Sequence, residues 1–165
     1  MTSLRTNVAD LLHRPGSRRT LRLEVRVSGL AVSGSSVPGD APLALDVLLE
    51  RVPEGIVVRG AVVAPWRAAC SRCLGPVEGS VRCELQELFE ADPLEGETYP
   101  LEHDHVDLGL PVRDAVLLEL PAAPLCRPDC AGLCPQCGAD RNTAPCSCEP
   151  DPVDPRWAAL SQLEL

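Results

Sequence analysis

The stretch LALDVLLERVPEGIVVRGAVV, residues 43–63, decides how the chain is read. Leu43 to Leu49 is leucine-rich and Ile56 to Val63 is largely β-branched. Between them, Pro53-Glu54-Gly55 is turn chemistry, so the two runs predict a β-hairpin. Upstream, Leu21, Leu23, Val25 and Val27 alternate with Arg22, Glu24 and Arg26, the period of a half-buried strand. Downstream, Val81, Cys83 and Leu85 alternate again and place Cys83 on an apolar face. Gly34 to Pro38 and the acidic run Asp92 to Tyr99 read as loops. Asn7 is a cap for a short helix carrying Val8, Leu11 and Leu12, which Pro15-Gly16 ends. Pro111 suits a first helical turn; Val112, Ala115, Val116 and Leu120 follow at helical spacing until Pro121 stops them. A Pro/Gly/Cys-rich stretch then runs to Pro152, and Asp154-Pro155 caps a last amphipathic helix with Trp157, Leu160 and Leu163. The sum is an α+β fold. It has an antiparallel β-rich body with short helices over residues 1–121, and a Cys-rich, zinc-knuckle-like tail over 122–165 that packs on it as one domain.

Composition narrows the function classes. The chain has 165 residues, 45% of them hydrophobic, which suits one globular core. No apolar run approaches the roughly 20 residues of a membrane span, and the basic N-terminus lacks a following apolar segment, so a cytoplasmic protein is expected. Charge sums to −9, which argues against non-specific wrapping of nucleic acid, and aromatics are only 2%, too few for a base-stacking platform. All fifteen basic residues are arginine. Six of them lie in residues 1–30 against two acids, whereas residues 84–119 hold eleven acids against Arg113 alone. That asymmetry fits two faces with different partners, and equally two solvated surfaces.

Nine cysteines are the outlying number. In a chain with no secretory signal they read as reduced thiols, and clustered thiols bind metal more often than they form disulfides. Setting Cys83 aside, eight fall into four pairs: Cys70-x2-Cys73, Cys126-x3-Cys130, Cys134-x2-Cys137 and Cys146-x-Cys148. Tetrahedral zinc takes four thiolates, usually as close pairs from turns whose backbone N–H groups face the sulfurs; Gly138 after Cys137 permits such a turn. Cys134, Cys137, Cys146 and Cys148 lie within fifteen residues, so closing them into one site costs little chain entropy. Cys126 and Cys130 then join Cys70 and Cys73. The rival grouping takes Cys126, Cys130, Cys134 and Cys137 as one site and leaves the rest free. One or two structural zinc ions, each worth on the order of 10–16 kcal/mol, would supply most of the folding energy of a tail that lacks a core.

Three sharper chemistries fail. Cys130-x3-Cys134-x2-Cys137 has the spacing of radical enzymes that use an iron–sulfur cluster, but only 28 residues follow it. Cys70 and Cys73 lack the βαβ setting of a thioredoxin-like dithiol. His103-Asp104-His105-Val106-Asp107 looks like part of a metallo-hydrolase box, yet only His13 remains to complete it, so a polar loop before the Pro111 helix is expected. No catalytic residue is assigned.

These residues carry a resemblance. Asp10-Leu11-Leu12 with Pro15-Gly16, Cys70-Ser71-Arg72-Cys73-Leu74, Asp107-Leu108 onward through Val112-Arg113-Asp114, and Leu120-Pro121 through Cys126 resemble the YceD family. So do Asp129-Cys130, Gly132-Leu133-Cys134-Pro135-Gln136-Cys137-Gly138 and Asn142. The arginine-only, proline-rich style is similar to actinobacterial members. The family is named for large ribosomal RNA subunit accumulation, so the resemblance implies a non-enzymatic ribosome-biogenesis factor. Its expected partner is large-subunit ribosomal RNA or its precursor, engaged directly or through a ribosomal or processing protein, with no membrane and no small-molecule substrate. Arg14, Arg18 and Arg19 are the candidates for contact with RNA phosphates or an acidic partner. A thiol-redox or metal-sensing protein is the alternative.

Overall fold

The computed structural model describes residues 4–148 together with 156 and 157. Among these residues eight strands and two helices follow one another. They are β1 (Arg5–Asn7), α1 (Ala9–Leu12), β2 (Arg18–Val25), β3 (Ser35–Ser36), β4 (Leu43–Arg51), β5 (Gly55–Ala69), β6 (Pro76–Glu90), β7 (Tyr99–Glu102), β8 (His105–Asp107) and α2 (Gly109–Glu119). The 43–63 hairpin is present as β4 and β5, but β5 continues to Ala69 and pairs with β6 along all fifteen residues of each. The sheet order is β1-β8-β7-β6-β5-β4-β2, with β3 pairing on β5.

The expected antiparallel sheet is corrected to a mixed, curled one, because β6 and β7 run parallel through Phe89↔Tyr99 and Glu90↔Pro100. The acidic loop between them makes this possible. The Thr98 hydroxyl donates to Glu90 Oε1 (2.7 Å) and accepts the Leu94 N–H (2.7 Å), which folds the chain back beside β6. Tyr99 then stacks on Phe89 with centroids 5.4 Å apart.

One face of the sheet is the core. Leu43, Leu45, Val47 and Leu49 of β4, Ile56, Val58 and Val62 of β5, and Cys83, Leu85 and Phe89 of β6 are all buried. They meet Val8 just before α1 and Leu11 within it, Val112 and Val116 of α2, and Leu120 just after α2. The opposite face exposes Asp46, Arg59 and Glu84, the solvated side that antiparallel pairing tolerates. β2 sits at the sheet edge, so its inward row is only partly covered: Val25 is buried but Leu23 is 38% exposed. Gly60 lets β5 approach β4 where the sheet curls, since a Cβ there would lie 2.2 Å from the Asp46 carbonyl oxygen.

Smaller expectations change for local reasons. Val8, not Asn7, is the N-cap of α1; Asn7 closes β1, and its side-chain oxygen accepts the Ala9 N–H at 3.0 Å. The Gly34–Pro38 loop contains β3, held where the Ser35 hydroxyl donates to the Pro121 carbonyl at 2.8 Å. His103-Asp104 is the turn of the β7–β8 hairpin and not a free loop, and His105 to Asp107 pair with β1. The terminal helix expected after Asp154 lies outside the described residues, except for Arg156 and Trp157. No helix among the described residues is long and apolar enough to cross a membrane.

Candidate metal centres

Two turns of the same construction carry the first pair of each cysteine group. Where β5 passes to β6, the Cys70 N–H donates to the Gly75 carbonyl (2.7 Å) and the Leu74 N–H to the Cys70 carbonyl (2.9 Å). After Gly132, the Cys134 N–H donates to the Ala139 carbonyl and the Gly138 N–H to the Cys134 carbonyl, both at 2.8 Å. The residue after the second cysteine is left-handed in both: Gly138 at φ 73° and Leu74 at φ 60°. Such a turn puts both sulfurs on one side and directs backbone N–H groups at the first of them.

The chain beyond α2 brings the remaining sulfurs. The Ser71 N–H donates to the Pro124 carbonyl (2.8 Å), the Leu133 N–H to the Arg72 carbonyl (2.9 Å), and Arg72 Nη1 to the Cys130 carbonyl (3.0 Å). This seats Cys126 and Cys130 against the β5–β6 turn. The sulfur separations are 3.8 Å for Cys70–Cys130 and 3.7 Å for Cys73–Cys126. A tetrahedron with metal–sulfur bonds of about 2.3 Å has edges of about 3.8 Å, so four thiolates so placed fit one zinc-sized ion. Cys134, Cys137, Cys146 and Cys148 form the second group; in each group all four sulfurs lie within 4.8 Å of one another. The structure therefore assembles 70/73/126/130 and 134/137/146/148, and does not bring Cys126 and Cys130 together with Cys134 and Cys137 as the rival grouping requires.

Protonation is uneven within each group. The Cys73 and Arg72 N–H groups and that of Cys126 hold the Cys70 thiol at about 6, against the opposing effect of burial. The Cys137 and Gln136 N–H groups do the same for Cys134, also at about 6. Burial pushes Cys130 up, but the Asn142 amide, the Gly132 N–H and the Cys126 thiol outweigh it and leave Cys130 below its ordinary value. Cys126 is pushed up to about 12 by Cys130, burial and Cys73; Cys148 is pushed to about 12 by Cys137, burial and Cys134. Each group is thus part thiolate and part thiol, and an ion bound there would draw the remaining protons off. Cys83, the ninth, is buried in the core and raised to about 11, mainly by burial with Glu119 and Glu84 nearby.

The arginine candidates are placed less favourably. Arg18 is paired with Glu50 (Nη2–Oε1 2.6 Å), and Arg19 with Asp10 (2.7 Å) and the Asn7 carbonyl (2.5 Å). Arg14 is exposed beyond α1 and makes no ion pair among the described residues. Sequence reasoning also passed over Asn142 as a working residue. It entered the sequence reading as one of the residues that carry the family resemblance, with no role assigned.

A family profile described as large ribosomal RNA subunit accumulation protein YceD matches residues 58–164, which include both turns and all eight clustered cysteines. The chain belongs to the YceD family. An uncharacterised protein of Mycobacterium tuberculosis is 39% identical over 169 residues, covering 95% of this chain and 79% of that relative. An uncharacterised Mycobacterium leprae protein is 37% identical over 168 residues, 95% of this chain and 76% of the relative. A maize member, the chloroplastic large ribosomal RNA subunit accumulation protein YCED homolog 1, is 38% identical over 53 residues, 32% of this chain and 18% of its own length. No solved structure matches this YceD chain.

Proposed function

We propose that this chain is a non-enzymatic, zinc-stabilised cytoplasmic factor promoting accumulation of large-subunit (23S) ribosomal RNA. It serves as an adaptor for that RNA, its precursor, or a ribosomal or RNA-processing protein. The observation that carries the reading is the pair of four-sulfur groups in a YceD-family chain. Relatives in maize and Arabidopsis are named for large ribosomal RNA subunit accumulation. Zinc suits four thiolates at tetrahedral spacing and, when bound, supplies a redox-inert crosslink between the β5–β6 turn and the segment after α2. A protein partner is favoured over bare RNA. Net charge is −9, and Arg18 and Arg19 already face carboxylates of their own chain.

Deleting the gene in its own host should lower the ratio of large- to small-subunit ribosomal RNA. Wild type should restore the ratio and the C70S/C73S variant should not. An unchanged ratio after deletion overturns the reading. Elemental analysis of chain purified without chelator should give two zinc per chain, with Cys83 as the one free thiol. Iron, or one zinc with several reactive thiols, would move the assignment to a redox or metal-sensing protein.

A further inference from the structure

Asn142 belongs in sequence to one cysteine group and touches a sulfur of the other. It lies in the chain joining Cys137 to Cys146, the segment that closes the second group, yet its side chain reaches a sulfur of the first: Nδ2 donates to Cys130 Sγ at 3.5 Å. All its other hydrogen-bonding capacity is used. Nδ2 also donates to Asp140 Oδ1 (2.6 Å), while Oδ1 accepts from Arg127 Nη2 (2.7 Å) and the Ala131 N–H (2.9 Å). Acceptors surround one end of the amide and donors the other, which fixes its orientation on chemical grounds.

The segment carrying Asn142 is held in turn by the second group's own frame. The Arg141 N–H donates to the Gly132 carbonyl (2.9 Å), the Asn142 N–H to Asp140 Oδ1 (2.9 Å), and Leu133 bridges Asp140. Cys137 and Cys146 flank residues 138–145, so an ion that joined them would add its constraint to the bonds that keep Asn142 on Cys130.

We propose that Asn142 is a positioning residue that couples the two metal sites, so that loading the 134/137/146/148 group orders the N–H···S bond that completes the 70/73/126/130 group. The inference rests on the metal-binding reading above. A hydrogen bond to a ligating sulfur fixes the ligand's direction and its electron density, and losing such a partner costs about 10–100-fold in metal affinity. Coupling of this kind is reciprocal: each ion binds more tightly when the other is present.

The test is zinc titration of the stripped, reduced full-length chain against a chromophoric chelator. Asn142→Asp keeps the oxygen that Arg127 and Ala131 hold but replaces the donor facing Cys130. It should weaken the first site about 10–100-fold while the second stays loaded. The C146S/C148S variant, which alters no ligand of the first group, should weaken that group by a similar factor. Combining the two changes should add nothing, since both act through one hydrogen bond. In cobalt-loaded chain, N142D should also move the thiolate-to-cobalt charge-transfer band to lower energy. Unchanged first-site affinity in N142D, or effects that multiply when the variants are combined, overturns the coupling alone. Failure of wild type to hold zinc overturns the coupling and the metal-binding reading together.

Discussion

At the scale of single residues, the two cysteine turns differ at one position that physics treats unequally. Gly138 adopts its positive φ without steric cost, whereas Leu74 holds nearly the same conformation with a Cβ and with 65% of its surface exposed. The left-handed region costs a non-glycine residue roughly 1–2 kcal/mol. Leu74→Gly should therefore raise stability by about 1 kcal/mol after the added freedom of the unfolded chain is deducted. Thermal unfolding of the variant beside wild type measures this, and a fall in Tm would mean that the leucine side chain contributes packing. Cys83 makes a second case. Burial raises its thiol to about 11 from an ordinary 9.0, so the unfolded chain loses that proton first as pH rises. The contribution of Cys83 to stability should be constant below pH 9 and be lost between pH 9 and 11. Cys83→Ala should flatten that decline in urea titrations run across this range, and the folded wild-type thiol should resist alkylation at pH 8.

At the scale of elements, Gly60 is a position that leaves no room for a side chain. A Cβ would lie 2.2 Å from Asp46 O and 2.7 Å from Val47 Cα, both backbone atoms that cannot rotate away. Gly60→Val should cost about 2–4 kcal/mol in chemical denaturation through strain at a close strand approach. By contrast, exchanging Arg22 or Asp46, paired at 3.0 Å on the solvated face, should change stability by less than about 1 kcal/mol. The long strands were legible because Leu43 to Leu49 and Ile56 to Val63 are leucine-rich or β-branched runs on either side of the Pro53-Glu54-Gly55 turn, and because Val81 to Leu85 alternate. The parallel β6–β7 pair was not, since it depends on Thr98 closing back onto Glu90 and on Tyr99 finding Phe89, contacts that no periodicity encodes. β1 and β8 are three residues each, too short for a period to register. The cysteine groups were legible from pair spacing and loop length. Asn142 was visible as part of the family resemblance, but its contact with Cys130 was not, because an asparagine in a loop has many ordinary uses and only its neighbours reveal this one.

At the scale of the whole molecule, the apolar core and the sulfur groups are separate. The buried cluster draws on the sheet, α1 and α2, and Cys83 is its one cysteine. Removing metal with a chelator should therefore loosen residues 122–148 and leave the strand signal in circular dichroism nearly intact. Trypsin should then cut first at Arg141, which is exposed, before any site within β4 to β6. Simultaneous loss of the strand signal and the tail would instead mean that the metal groups hold the sheet. The distribution of charge also belongs to this scale. The acidic stretch from Glu84 to Glu119 is met by few cations of its own, whereas several N-terminal arginines find carboxylates on neighbouring strands.

The first sulfur group joins residues 53 to 60 positions apart in the chain. On a ribosome adding roughly 5–20 residues per second, Cys70 and Cys73 emerge some 3–12 s before Cys126 and Cys130. During that interval the newborn chain carries an unfinished pair of thiols at the tip of a long ribbon, open to oxidants and to foreign cations. The protein's maturation thus has a fixed order: the sheet can form early, and the clamp across its far end is among the last connections made.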